Sequence, residues 1–315
     1  MKNEKKSISI ISAFYNEKEN LEKFVENFEI TKFELEKLGY KVSLILVNDG
    51  STDGSYNIAK KIISSKKFVQ LISFEKNYGQ QFAIYEALKK DEADFYGALD
   101  SDGQNDAKLF IQMIEKLKSK NLDFVQMKKK YVNYESSIKR FFSKFFYYFF
   151  SKISQIDIKP GSSDFYIFTC NVRNMVISSN TSRFFLRGFL HKCFLKKDYL
   201  EYIPFKRLRG ESKYNIFKQI DFALTGIYFY RKKLFIIISS FLIIPILFLI
   251  LLIFFQDLFL FNQIFEHSIY KFFTILVSII FSILYCLIIF FIIKTENNKF
   301  IKPKIKIENY STIYR

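Results

Sequence analysis

The sequence predicts an α/β protein. A mostly parallel, doubly wound sheet domain is followed by amphipathic helices at a membrane surface and a C-terminal two-helix transmembrane hairpin. Three observations carry this. Strand-like and helix-like segments alternate over the first 130 residues. A polar cluster follows each of the first four strand-like segments. Two apolar runs near the C-terminus, 234–255 and 272–293, carry no charge at all.

The elements follow in order. SISIISAF (7–14) reads as a strand, and Asn16 is placed to cap a helix reaching about Leu38, which Gly39 ends. VSLILVN (42–48) has no polar face, as a strand buried on both sides of a parallel sheet requires. A helix from Asp53 to about Ser65, a strand at 68–74 and a helix from Gly79 to Lys90 come next. The strand DFYGALD (94–100), a helix from Asp106 to Lys120 and the strand LDFVQM (122–127) complete the alternation.

In such sheets ligands bind beyond the carboxyl ends of the strands. The polar clusters fall there: FYNE (14–17), NDGSTDGS (48–55), EKNYG (75–79) and DSDGQND (100–106). Asp, Ser, Gly and Asn form turns, and a turn alone would explain any one cluster. Four on one edge favour a ligand, with Asp100 and Asp102 as oxygen donors to a divalent metal, Mg²⁺ or Mn²⁺. Neither GxxxxGK[ST] nor GxGxxG is present, so a metal rather than a Gly-rich loop is expected to neutralise a diphosphate.

The two apolar runs are each long enough to cross a bilayer. Arg231, Lys232 and Lys233 precede the first, and Lys294, Lys299, Lys302, Lys304 and Lys306 follow the second. The connecting loop has Lys271 as its one base. By the positive-inside rule both ends face the cytoplasm. The expected organisation is a cytoplasmic domain (1–210), a juxtamembrane amphipathic helix (211–233), the spans (234–293) and a cytoplasmic basic tail (294–315). Within the first domain, KRFFSKFFYYFFSK marks an interfacial helix at about 135–153: Phe142, Phe145, Phe146 and Phe149 share a stripe, with Lys and Arg largely off it. An ordinary core helix is the alternative there.

Net charge is +17, which suggests an anionic partner, although a Lys-, Ile- and Asn-rich composition also arises without function. Three cysteines and two histidines form no zinc spacing, and no signal peptide is expected. Chemistry is left to carboxylates, metal and basic residues.

SAFYNEKENL, LILVNDGSTDGS, EKNYGQQFAIYEAL and ALDSDGQND, in that order, resemble the inverting family 2 glycosyltransferases of GT-A (Rossmann-like) fold. GSSDFYIFTCNV, RFFLRGFL and RLRGESKYNIFKQIDFALTGI, followed by two apolar runs, narrow the resemblance. They are similar to the polyprenyl-phosphate glycosyltransferases, relatives of dolichol-phosphate mannose synthase such as the GtrB type.

The resemblance implies transfer of a sugar from a nucleotide-sugar, UDP-linked by first expectation, to polyprenyl (undecaprenyl) phosphate. The product is polyprenyl-phosphate-sugar for cell-surface glycan assembly or modification, made at the cytoplasmic face of a bacterial inner membrane. It implies roles residue by residue. Tyr15, Glu17, Asp49, Ser51 and Lys76 match donor contacts, with Lys76 standing where relatives have Arg. Asp53 fits the same loop or caps the next helix. Asp100, Asp102 and Gln104 match the metal and donor set. Lys139, Arg140 and Ser143 match an acceptor-phosphate set, and one of Lys128, Lys129 and Lys130, with Lys130 our choice, joins it. Arg207, Ser212 and Lys213 match a loop closing over the diphosphate. Asp164 matches an Asp between donor and acceptor, which could orient the sugar, act as a weak base or hold the fold. Relatives assemble through their hairpins, so a homo-oligomer is expected.

Other readings are a transferase acting on a different lipid or glycan, a non-catalytic membrane scaffold, and a membrane-tethered nucleic-acid binder. The basic residues gather beside the membrane elements rather than along one groove, so no nucleic-acid partner is expected.

Overall fold

The computed structural model describes residues 5–130, 158–179, 186–193, 195–205 and 305–308, with isolated positions at 148, 151, 156 and within 276–288. The chain divides into two compact units: Met1–Ile216 with Lys302–Arg315, and Phe217–Ile301.

The first unit begins with the expected alternation: β1 (Ser7–Phe14), α1 (Leu21–Lys37), β2 (Lys41–Asn48), α2 (Ser55–Ser65), β3 (Val69–Phe74), α3 (Gln80–Lys90), β4 (Phe95–Ala98), α4 (Leu109–Ser119) and β5 (Phe124–Lys129). Then come β6 (Ser162–Thr169), α5 (Cys170–Ser178), α6 (Leu186–Lys192), β7 (Lys197–Tyr202) and, after the second unit, β8 (Ile305–Glu308). The sheet has the order β7-β5-β6-β4-β1-β2-β3-β8. β1 pairs in parallel with β2 and β4, and β2 with β3, so the carboxyl ends of β1 to β4 share one edge. β6 runs antiparallel between β4 and β5, which makes β5 and its parallel neighbour β7 end at that same edge. The strand order turns between β1 and β4, the switch point where α/β sheets open a crevice.

Both sheet faces are covered. Ile8, Ile10, Leu44 and Leu71 pack with α1, α2 and α4 on one side, and Ile11, Ile45, Ile72 and Tyr166 with α3, α5 and α6 on the other. Each fully buried aliphatic or aromatic side chain contributes roughly 1.5–3 kcal/mol. Gly97 on β4 makes room for this packing, since a Cβ there would lie 2.4 Å from Ile10 Cδ1 and 2.6 Å from Phe110 Cε1.

Two sequence expectations need correcting. Asn16 does not cap α1. It takes a left-handed φ of 56° and its Oδ1 accepts from Thr52 N–H at 2.8 Å. The oxygen that would cap a helix is spent on the neighbouring loop, and the helix starts at Leu21 after a turn closed on Glu17 O. Likewise Asp106 precedes α4 rather than starting it, with its Oδ1 accepting from Lys108 N–H at 3.0 Å.

In the second unit the described positions of 276–288 are helical, and Leu276, Ile279, Ile280, Ile283, Leu284 and Leu287 are exposed. No helix among the described residues is long and apolar enough to cross a membrane. The 234–255 run lies outside the described residues, as does most of 272–293. The helices expected at 135–153 and 211–233 lie outside them too, except for helical positions at Tyr148 and Ser151.

Candidate active site

The loops after β1, β2 and β3 are laced together. Ser51 Oγ accepts from Asn16 N–H at 3.0 Å, and Asp53 Oδ2 from Lys18 N–H at 3.1 Å. Asn48 closes its own turn by accepting Ser51 N–H at 3.0 Å and donates to Ser73 Oγ at 2.9 Å. Asp53 Oδ1 accepts from Ser55 N–H at 3.0 Å and Oγ–H at 2.5 Å, so this residue also secures the start of α2.

Asp49 sits at the centre, nearly fully buried. Its Oδ1 accepts from Tyr78 N–H at 2.7 Å and its Oδ2 from Gly79 N–H at 2.9 Å. Burial pushes its carboxyl up to about 6 against the pull of those two bonds. Asp49 therefore holds the loop that follows β3. Gly50 beside it has a φ of 70°, and a Cβ there would lie 2.3 Å from the Lys76 carbonyl carbon. Only glycine lets the two loop backbones touch.

The loop after β4 carries the paired aspartates. Gln80 Nε2 on the first turn of α3 donates to Asp100 Oδ1, and Asn105 Nδ2 donates to Oδ2 at 3.5 Å. Asp102 Oδ1 accepts from Gln104 N–H at 3.1 Å. The loop is tied to the end of β7: Tyr202 O–H donates to Asn105 Oδ1 at 2.6 Å, and Phe205 N–H to Gln104 O at 2.8 Å. Burial, then the charges of Asp164 and Asp102, push the Asp100 carboxyl up to about 6. The charge of Lys129 acts on Asp100 in the opposite sense. Among the described residues no three His, Cys, Asp or Glu side chains are grouped so as to hold a metal ion.

Behind Asp100, Arg187 on α6 grips Asp164 on β6, Nε to Oδ1 at 2.9 Å and Nη2 to Oδ2 at 2.6 Å. Next to it, Gln126 on β5 meets His191 Nε2 at 2.9 Å and donates to Ser163 O at 2.8 Å.

The remaining expectations sort as follows. Tyr15 and Glu17 lie in the first loop, with Glu17 buried and accepting from Asn20 Nδ2 at 2.7 Å. Lys76 is exposed, its ammonium 5.4 Å from the Tyr78 ring centre. Lys130, our choice among the three lysines, is turned to the surface with its Nζ 3.8 Å from Glu201, and Lys128 Nζ is 3.1 Å from the same carboxylate. The register shift in β5 between Gln126 and Lys128 accompanies a different outcome for Lys129, whose charge acts on Asp100. Lys139, Arg140, Ser143, Arg207, Ser212 and Lys213 lie outside the described residues. The sequence reading gave no role to Gln80, Asn105, Arg187 or Tyr202. Arg187 stood in a quoted motif, but nothing in one dimension pairs it with Asp164.

A mostly parallel sheet with a paired-aspartate loop at its switch point, and with the loops after β1, β2 and β3 laced at the same edge, has the arrangement of a GT-A glycosyltransferase. The model of Glycosyl transferase family 2 matches residues 9–180, and the chain belongs to that family. It is 28% identical over 220 residues to the prophage bactoprenol glucosyl transferase homolog of Escherichia coli K12, covering 70% of this chain and 71% of that one. The bactoprenol glucosyl transferase of Shigella phage SfX is also 28% identical, with 70% and 71% covered. Among solved structures, the glucosyl-3-phosphoglycerate synthase of Mycobacterium tuberculosis superposes with a TM-score of 0.48 at 14% identity, over 70% of this chain and 78% of that one.

Proposed function

We propose that this glycosyltransferase moves a sugar from a nucleotide-sugar, UDP-linked in our reading, to the phosphate of a membrane polyprenol, with inversion at the anomeric carbon. The observation that carries the reading is the convergence of Asp100, Asp102 and Asp164 at the switch point of a family 2 sheet. The acceptor is drawn from the relatives, whose names place bactoprenol in the reaction.

An acceptor phosphate oxygen attacks the anomeric carbon as the bond from that carbon to the diphosphate oxygen breaks. The electron pair leaves with the nucleoside diphosphate. The acceptor is already an anion, so no proton need be removed, which suits a site without a catalytic histidine. Positioning and charge balance are what remain for the protein. Gln80 and Asn105 fix Asp100, and Asp49 with Gly50 fixes the loop between the donor contacts. Asp100 and Asp102, with Gln104, would hold Mg²⁺ or Mn²⁺; an all-oxygen donor set suits either. Such an ion offsets the charge on a departing diphosphate. Lys129 adds a cation on the Asp100 side. Lys139, Arg140 and Ser143 would take the acceptor phosphate, and Arg207, Ser212 and Lys213 the diphosphate.

The proposed location is the cytoplasmic face of a bacterial inner membrane, with the second unit as the hairpin. Half-exposed leucines and isoleucines in that unit support a lipid environment. So does connectivity. β8 pairs with β3 in the first unit, which fits a hairpin whose two ends lie on one side of a membrane.

The test uses full-length protein in detergent with undecaprenyl phosphate, Mn²⁺ or Mg²⁺ and a panel of radiolabelled nucleotide-sugars. The expected result is label entering the organic phase from one donor, abolished by EDTA and by Asp102→Asn. Nucleotide binding without transfer to the lipid from any donor would overturn the acceptor.

A further inference from the structure

We propose that Arg187 is a positioning residue for the transfer step: its guanidinium fixes Asp164 beside Asp100, and the pair serves the chemistry rather than nucleotide binding. This rests on reading the switch-point edge as the transfer site.

Both Asp164 oxygens accept from the guanidinium, at 2.9 and 2.6 Å, a two-point grip that lysine cannot copy. The side chains are 16% and 10% exposed. A buried ion pair is a weak source of net stability, and apolar residues of equal volume would hold β6 to α6 as well. The pair is also wired to the metal loop. Arg187 N–H donates to Gln81 Oε1 at 3.0 Å, while the adjacent Gln80 donates to Asp100 Oδ1. One turn of α3 thus contacts both Arg187 and Asp100. The β4–β6 ladder ends at the pair Ala98 and Tyr166, two residues short of Asp100 on one strand and of Asp164 on the other, and the charge of Asp164 acts on Asp100.

Each Asp164 oxygen accepts one N–H from Arg187, which fixes the plane of the carboxylate and leaves each oxygen a further lone pair for a sugar hydroxyl.

The test compares the full-length parent with Arg187→Lys, Asp164→Asn and the double variant. Four quantities are read: thermal midpoint, affinity for the Mn²⁺–nucleoside diphosphate, donor KM and kcat. Arg187→Lys is expected to change midpoint and affinity little and KM by less than about threefold, while kcat falls at least about thirtyfold. The double variant is expected to be no slower than the worse single, because the two residues act as one unit. If Arg187→Lys melts early, Asp164→Glu replaces it, with the same pattern expected. A kcat within about twofold of the parent, additive losses, or losses matching weakened nucleotide binding would each overturn the proposal. If the parent cleaves donor with water but gives no lipid product, the acceptor reading fails. The Arg187 comparison is then scored on donor cleavage, with Asp102→Asn as the inactive control.

Discussion

Asp49 shows burial beating hydrogen bonding at a single residue. Two backbone N–H groups stabilise its charged form, yet its carboxyl stands near 6 rather than the ordinary 3.8. Between those values the folded protein binds more protons than the unfolded chain, so the Asp49 contribution to stability rises as pH falls from 7 towards 4. At pH 7 the ionised group costs on the order of 2–3 kcal/mol, retained because it pins the donor loop. In Asp49→Asn, unfolding midpoints of the metal-free protein should rise less between pH 7 and 5 than in the parent. Equal pH slopes in the two proteins would assign the effect elsewhere. The same junction yields a second expectation. Gly50→Ala sets a Cβ 2.3 Å from the Lys76 carbonyl carbon at a left-handed φ. It should cost about 1–3 kcal/mol in denaturant titration and weaken nucleoside diphosphate binding. Unchanged binding would separate this junction from the donor site.

At the scale of elements, β1 to β4 were legible because each is an apolar run followed by turn formers, and β2 and β3 have almost no polar face. The paired aspartates were legible for the same reason, since a strand end locates them on the edge. β6 and β7 were not. An antiparallel strand inserted between β4 and β5 carries no local mark of its neighbours, and KDYLEY lacks an apolar run altogether. β7 is held partly by charge. Asp198 meets Lys116 on α4 at 3.0 Å and Lys120, just past its end, at 2.9 Å. Burial pushes its carboxyl up, but hydrogen bonds from Lys120, the Tyr199 N–H and Lys116 outweigh that and hold it at about 2. A depressed carboxyl stabilises above its unfolded value near 4 and loses that as pH falls through 2. After allowance for solvent screening, Asp198→Asn should cost about 1 kcal/mol at pH 7 and almost nothing at pH 2, by denaturant midpoints. Because β7 also braces the aspartate loop through Tyr202 and Asn105, a small rise in the metal requirement should accompany it.

The sheet of the first unit ends in a strand that the sequence places in a basic tail. Residues 305–308 return from the second unit and pair antiparallel with β3, Phe74 against Ile305 and Leu71 against Glu308. Without them β3 would be an edge strand, with one row of N–H and C=O groups open to pairing with another chain. Nothing in IKIE announces a partner 231 positions upstream (Phe74 to Ile305), which is why composition suggested only a charged end. The pairing gives the tail a use at the site, because β3 runs directly into the loop that Asp49 holds by Tyr78 and Gly79. Deleting residues 302–315 should therefore raise amide hydrogen exchange in Val69–Phe74, at the amides turned away from β2. It should also lower the unfolding midpoint, promote association between chains, and weaken nucleoside diphosphate binding severalfold through the loosened loop. Faster exchange with unchanged nucleotide binding would confine β8 to covering an edge. Unchanged exchange in β3 would remove the strand from the sheet.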